Sequence, residues 1–440
     1  MTNWLMLNDF AIAGCLLLLG KVIRVHSRLL QRFYLPSAVI AGIIGLALGP
    51  SSLDILPWSG SFGSNAGLLT TVLFCSLGLA TDIPSPSQVA NRAGSLWAFN
   101  QIATVSQWMF AALFGLFLAT FIWPELNSGF GLVMSSGFMG GHGTSVVVGE
   151  IFGDLGWEDA LTLCLSFATA GIFIAIILGM LLLQLALKLG LIDNFASFEQ
   201  MDRYQRRGLI EPEKQQAVMT ETMSSLSVDS FAVHLAMVAA VTAFAYLSGE
   251  YLSSFHPKVQ IPTFVTGFIG GMLVRRIAQL TGSANYLCDK VFNHASGCST
   301  DYLIVFGISS IQVMVLANYL LPMVVLMLGG ISFTLFLILW VAPKILGKGW
   351  FEKGIFSWGW LTGTVAMGIA LLRIVDPKMR SKVLDDYAIA YVPGSITDIF
   401  VISLMPLAMV SGYHWLAFAV AASYITVVLG IWRFVLPKQG

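Results

Sequence analysis

Charged residues are scarce in this 440-residue chain: 10% of it, where a soluble domain carries about 25%. That deficit excludes an ordinary water-exposed surface over most of the chain. Formal net charge is zero, so bulk charge offers nothing to attract nucleic acid, and no nucleic-acid partner is expected. The five cysteines, Cys15, Cys75, Cys164, Cys288 and Cys298, are scattered without a Cys-x-x-Cys pair. They read as small buried apolar residues, not as a disulfide or metal framework. No G-x-x-x-x-G-K-[ST] run is present, so no nucleotide-driven engine is expected. No cleavable signal peptide is expected either: Asp9 precedes the first apolar run, and Lys21, Arg24, Arg28 and Arg32 follow it.

Hydrophobic residues, in contrast, make up 57% of the chain, with a mean hydropathy of +0.81. The apolar runs are about 20 residues long, the length a helix needs to cross the hydrocarbon core. They contain glycine without strand-like alternation, which excludes a barrel pattern. The chain reads as an all-α polytopic membrane protein. Spans are expected at 9–25, 35–50, 65–82, 95–123 and 159–190, then at 231–252, 261–278, 301–321, 323–346, 386–410 and 417–436. Two glycine-rich apolar segments remain, about 128–156 and 354–377, each with a Gly-Thr pair. When both are treated as re-entrant hairpins and the N-terminus is placed outside, all but Lys258 of the 23 Lys and Arg residues fall on the cytoplasmic side. Making the first hairpin a full span would send Lys188, Arg203, Arg206, Arg207 and Lys214 outward. The charge bias therefore selects the hairpins and a cytoplasmic C-terminus.

The two halves resemble each other. LPSAVIAGIIGLALG (Leu35–Gly49) aligns with IPTFVTGFIGGMLVR (Ile261–Arg275), and HGT at His142–Thr144 with TGT at Thr362–Thr364, in the same order. An odd number of spans per half makes the second copy enter inverted, and inverted repeats with interrupted segments mark secondary transporters. The expected organisation is a first repeat over 1–190, a mixed-charge cytoplasmic linker over 191–229, and a second repeat over 230–410. Residues 411–440 add one further C-terminal span and tail. Each repeat would hold five spans and one hairpin.

The stretch MSSGFMGGHGTSVVVGE, Met134–Glu150, carries the clearest candidate chemistry. Non-helical backbone survives in a membrane only when it is buried in protein or lines a wet cavity. A turn at Gly140, Gly141, His142, Gly143 and Thr144 would expose peptide groups. The helix restarting near Thr144 would aim free N–H groups at a carboxylate, while carbonyls ending the preceding half-helix suit a sodium ion. Ser135, Ser136, Thr144 and Ser145 add hydroxyls. The other reading of the same stretch is close helix packing through small residues. His142 is a candidate donor to substrate or backbone, and a proton-relay role stays open.

Ionisable residues within spans are functional candidates by default. Asp398, in VPGSITDIFVISL, sits mid-span with Pro393, Gly394, Ser395 and Thr397 nearby. It reads as a sodium ligand with Ser395 and Thr397, or else as a helix-packing hydrogen-bond acceptor in a broken span. Gln107, Gln312 and Asn318 either line the path or bond across helices. Arg373 either pairs with an anionic substrate or is a snorkelling charge.

With these motifs in view, the sequence resembles the glutamate:sodium symporter family. SGFMGGHGTSV carries the family's GGHGT signature, IPTFVTGFIGGML and VPGSITDIFVISL add support, and the likeness runs from about residue 8 to 410. The resemblance implies sodium-coupled uptake of L-glutamate or a similar acidic amino acid, without enzymatic activity, in the inner membrane of a prokaryote. It also implies a homodimeric elevator transporter in contact with membrane lipid, its two hairpins meeting near the midplane. The second hairpin would then supply half the site through Thr362, Gly363 and Thr364, with Thr364 also on sodium. That hairpin reads SWGWLTGTVAMGIALLRIVDP, poorer in glycine than the family's and lacking its proline. Alternatives are a proton- or sodium-coupled carrier of another small organic anion, a channel, and an intramembrane hydrolase using Ser135 or Ser136 with His142.

Overall fold

The structure, a computed structural model, describes residues 3–82, 84–192, 206–224, 226–255, 263–376 and 380–437. Lys258, linker residues 193–205, the Ile261–Pro262 pair of the repeat motif and hairpin position 377 lie outside them. The described residues are overwhelmingly helical and contain no strand. The first half holds α1 (Asn3–His26), α2 (Ser37–Leu48), α3 (Asn65–Ala80), α4 (Gly94–Phe121), α5 (Leu132–Phe138), α6 (Gly141–Asp154) and α7 (Ala160–Lys188). The second holds α8 (Ser230–Phe255), α9 (Thr263–Thr281), α10 (Asp289–Ser309), α11 (Leu320–Phe336), α12 (Trp350–Thr362), α13 (Val365–Val375) and α14 (Val383–Val410). One more helix, α15 (His414–Phe434), follows. Each half thus runs, its shortest helices aside, as four helices, a short helix–turn–helix pair and a final long helix.

Eight helical segments among the described residues are long and apolar enough to cross a membrane. The protein is an integral membrane protein on this composition. Three other expected spans are weaker: α2 is apolar but only 12 residues long, while α9 carries Arg275 and Arg276 and α10 carries Asp289, Lys290 and Asp301. The span expected at 301–321 is misplaced in the sequence reading. Its helix, α10, starts at Asp289, ends at Ser309, and is followed by a separate short helix, Val313–Asn318. The polar opening DKVFNHASGCST hid the first half of α10 from a hydropathy reading. The span around Pro393 is not broken either: α14 continues through Pro393 and Pro406, although each proline withholds one N–H from the helical ladder.

Local sequence explains the entry to α4. Ser85 Oγ accepts from the Gln88 N–H (3.3 Å) and Gln88 Oε1 accepts from the Ser85 N–H (2.9 Å), with Pro86 at the first helical position. This reciprocal cap satisfies two otherwise orphaned donors. A five-residue π-helical turn, Val89–Ala93, leads from it into α4.

By internal contacts the chain divides into two units that interleave the halves. Unit 1 combines α1 to Ile23, α2 and α3 with α8, α9 and α10; unit 2 holds α4–α7 with α11–α15. Within unit 1, α2 packs on α10 and α9 packs on α3. The aligned glycines of the repeat motif sit at these crossings. A Cβ on Gly45 would run into Ser309 of α10, and one on Gly271 would lie 2.7 Å from the Cys75 carbonyl of α3. Small residues are what let such helices approach closely.

Unit 1 also has a charged tie. The largely buried Arg275 guanidinium donates to Asp289 Oδ1 (2.7 Å) and Oδ2 (3.1 Å) and to Asp82 Oδ1 (2.9 Å), joining α9 to the ends of α10 and α3. The two carboxylates are substantially exposed, which discounts the pairs. Arg275→Met should cost about 1–2 kcal/mol from lost charged hydrogen bonds. It is expected to lower the thermal unfolding midpoint of detergent-solubilised protein by a few degrees, and an unchanged midpoint would show the tie to be idle. His234, fully buried on α8, donates from Nδ1 to the Ser230 carbonyl (2.6 Å) and accepts the Cys288 N–H at Nε2 (2.8 Å). Both ring nitrogens are occupied, so His234 fastens α8 to the start of α10.

Candidate functional site

The site is built within unit 2 from two helix ends that face one another. α5 stops at Phe138, and Met139 and Gly140 carry the chain into α6, with φ of +100° at Gly140 and +61° at Gly141. Two consecutive left-handed residues require glycine. At Gly140 there is also no room, because a Cβ would strike Thr144 Oγ1. The second turn is made differently: Gly363 (φ −150°, ψ −97°) and the extended Thr364 separate α12 from α13. The tips meet. A Cβ on Gly141 would fall 2.9 Å from Thr364 Cγ2 and 3.4 Å from the Gly363 carbonyl oxygen.

α7 passes against both turns. A Cβ on Gly171 would run into the Thr362 carbonyl and would lie 3.4 Å from Phe138. Trp358 Nε1–H donates to the Ala175 carbonyl (2.9 Å), clamping α12 onto α7. On the α4 side, Gln107 Nε2 donates to Thr334 Oγ1 (2.8 Å) and to the Leu361 carbonyl (2.9 Å). Gln107, of the three amides singled out from sequence, therefore bonds across helices. The N-termini of α6 and α13 and the C-termini of α5 and α12 come together at this point. Each N-terminus offers N–H groups without intrahelical acceptors, and each C-terminus offers free carbonyls. Such ends favour an anion and a cation respectively.

The candidate side chains divide sharply. Ser135 and Ser136, both fully buried, donate to the Leu132 (3.2 Å) and Val133 (3.0 Å) carbonyls of their own helix. Thr362 donates to the Trp358 carbonyl (2.7 Å) and Ser395 to the Val392 carbonyl (2.8 Å). Ser145 reaches across to the Cys164 carbonyl of α7 (2.9 Å), a packing bond. Gly140, Gly141, Thr144, Gly363 and Thr364 gather at the meeting tips. On Gly143 a Cβ would meet nothing within 4 Å. Arg373 sits in the last turn of α13, nine residues and about 13 Å along the helix from the tip, too far for an anion held there.

His142 is buried at the start of α6. Its Nε2 lies 3.1 Å from Thr169 Oγ1, whose own proton goes to the Leu165 carbonyl (2.9 Å). The imidazole therefore donates from Nε2, and its buried Nδ1 has no partner. No Ser–His pair forms, since Ser135 and Ser136 are committed to backbone carbonyls. Among the described residues, no three His, Cys, Asp or Glu side chains come together to hold a metal ion.

Asp398 lies on a second polar patch of the same unit. Gly394 and Asp398, one turn apart on α14, share a face with Tyr387 and Tyr391 by helical spacing. Tyr387 packs on Phe356 (4.8 Å between ring centroids), Trp360 (6.2 Å) and Tyr391 (5.7 Å), linking this face to α12. Asp398 Oδ1 is buried without a hydrogen-bond partner, as are Asn100 Oδ1, Gln107 Oε1, Ser357 Oγ and Trp360 Nε1. Buried polar atoms are nearly always paired in native proteins, and these five all belong to unit 2. Sequence reading missed Asn100, Gln101, Thr169, Ser357, Trp360 and Tyr424. Only the regular spacing of Tyr387, Tyr391, Gly394 and Asp398 could have signalled the aromatic face.

A family model described as sodium/glutamate symporter matches residues 4–370. No curated protein and no solved structure matches the chain.

Proposed function

The chain belongs to the sodium/glutamate symporter family, and from that premise we propose that it takes up L-glutamate, or a similar small acidic amino acid, together with sodium. The observation that carries this reading is the meeting of two helix breaks at Gly141 and Thr364, with buried unpartnered polar atoms gathered in the same unit. In this reading the substrate carboxylates take the N–H groups at the starts of α6 and α13. Gly140, Gly141, His142, Gly143, Thr144 and Thr364 surround them, and the unpartnered Nδ1 of His142 accepts from the substrate ammonium. Sodium is held at Asp398 and Thr397, balancing a carboxylate that burial alone would penalise.

The architecture proposed is two inverted repeats of five spans, over 1–190 and 230–410, joined by a cytoplasmic linker. The helix–turn–helix pairs enter and leave on one side, the N-terminus is outside, and α15 is a further span. The crosswise glycine contacts of Gly45 and Gly271 support the repeat. So does the identical order of helices in the halves. An elevator mechanism assigns the moving part to the site-bearing unit and the stationary, dimerising part to the other unit, in the inner membrane of a prokaryotic cell. Sodium drives uptake by stabilising the loaded site before it changes exposure.

The test is uptake of radiolabelled L-glutamate into proteoliposomes under an inward sodium gradient, with choline replacing sodium in the control. Accumulation with sodium alone is the expected result. Accumulation driven by a proton gradient in choline would replace sodium by protons in this reading. Folded protein that accumulates a different anion would move the substrate assignment.

A further inference from the structure

The family match ends at residue 370, yet α15, which lies wholly beyond it, reaches the neighbourhood of Asp398. Tyr424 OH donates to Gln101 Oε1 of α4 at 2.7 Å. A phenol has one proton to give, so the 2.8 Å contact between Tyr424 OH and Thr397 Oγ1 has Thr397 as its donor. Other hydroxyls of α14 behave differently: Ser395 donates to the Val392 carbonyl (2.8 Å) and Ser403 to the Ile399 carbonyl (2.7 Å), both within their own helix. Thr397 instead sends its proton to a neighbouring helix. A hydroxyl binds a hard cation through its oxygen lone pairs. Giving the proton to Tyr424 keeps it away from that task, next in sequence to a carboxylate whose Oδ1 is buried and unpartnered. The Gln101 amide is itself fixed against α14, where a Cβ on Gly394 would lie 2.7 Å from its Nε2.

We infer that Tyr424 of the additional C-terminal helix is a positioning residue for cation binding, holding Thr397 with its lone pairs presented beside Asp398 through the chain Thr397–Tyr424–Gln101. This rests on the reading of Asp398 and Thr397 as the sodium site. Without Tyr424 as acceptor, Thr397 turns its proton to the backbone of its own helix, as Ser403 does.

Purified full-length protein is titrated with sodium chloride at constant ionic strength, choline making up the balance, and the sodium-dependent rise in unfolding temperature gives an apparent affinity. Tyr424→Phe keeps the ring and removes only the oxygen. It should weaken sodium binding about fivefold, the size of one net hydrogen bond, as should Thr397→Val. The double variant should be no weaker than the worse single one, because both changes break one chain. If Thr397→Val and Asp398→Asn weaken binding and Tyr424→Phe does not, the inference falls and the sodium site stands. If none of the three alters binding, the sodium site itself is wrong and the inference falls with it. A Tyr424→Phe variant that melts lower in choline but keeps its sodium response would make Tyr424 a packing residue and overturn the inference.

Discussion

Gly141→Val should lower sodium-driven L-glutamate uptake by on the order of a hundredfold or more, since misplacing a binding group by about 1 Å costs that much. Two independent effects act at this residue. Its φ of +61° is a conformation that a β-branched residue adopts only as an outlier, at about 1–2 kcal/mol. Its new Cβ would also stand 2.9 Å from Thr364 Cγ2, so relaxing the clash pushes the two tips apart. The first effect strains one turn and the second opens the site. The variant should still insert and elute as the parent does in detergent, because the contacts of α6 with α7 are untouched. Gly153→Ala, on the same helix, is the control: a Cβ there meets nothing within 4 Å. It should leave uptake intact while gaining up to about 1 kcal/mol of helix propensity. Wild-type affinity in Gly141→Val would remove the tips from the binding site.

Asp398→Asn should raise the sodium concentration needed for half-maximal uptake by over about a hundredfold, or abolish coupling. Leaving one member of a buried charge pair without its partner costs about 3–5 kcal/mol. A carboxylate in the middle of an apolar helix is costly, and Asp398 Oδ1 receives no hydrogen bond from the protein; the proposed sodium would supply the missing partner. Asparagine keeps the shape and loses the charge. Sodium dependence is read from uptake across a series of sodium concentrations balanced with choline. A curve superimposable on the parent's would place the ion elsewhere and leave Asp398 as a packing residue.

Much of this protein was legible in its residues. Low charge and apolar runs of membrane length dictated helices, because a chain in lipid must satisfy its backbone locally. The Gly-Gly-His-Gly-Thr core announced a break because its glycines, free to take positive φ, stand with a histidine and hydroxyls, whereas Gly270–Gly271 and Gly329–Gly330 sit among apolar neighbours and stay helical. The second break, at Gly363, lies in the glycine-rich segment that the expected spans left over, where TGT aligns with the HGT of the first. α10 was misplaced because its opening turns are polar, and hydropathy reports the environment of a helix better than its ends.

Hydroxyl roles were not legible at all. Ser135, Ser136, Ser145, Thr362 and Ser395 read as ligands by type, but in the fold each donates to a carbonyl within hydrogen-bond reach. A hydroxyl has a local alternative in every helix, and only the packed neighbours decide whether it takes it. Thr397 is directed elsewhere because Tyr424, 27 residues away, stands within 2.8 Å. The sequence by itself determined that this chain lives in a membrane and that its helices break at Gly140–Gly141 and near Gly363, since these depend on composition and on local backbone chemistry. Tertiary structure alone decided which tips meet, which hydroxyls remain available and that the last helix reaches the Asp398 neighbourhood, since these depend on contacts between residues that no local pattern relates.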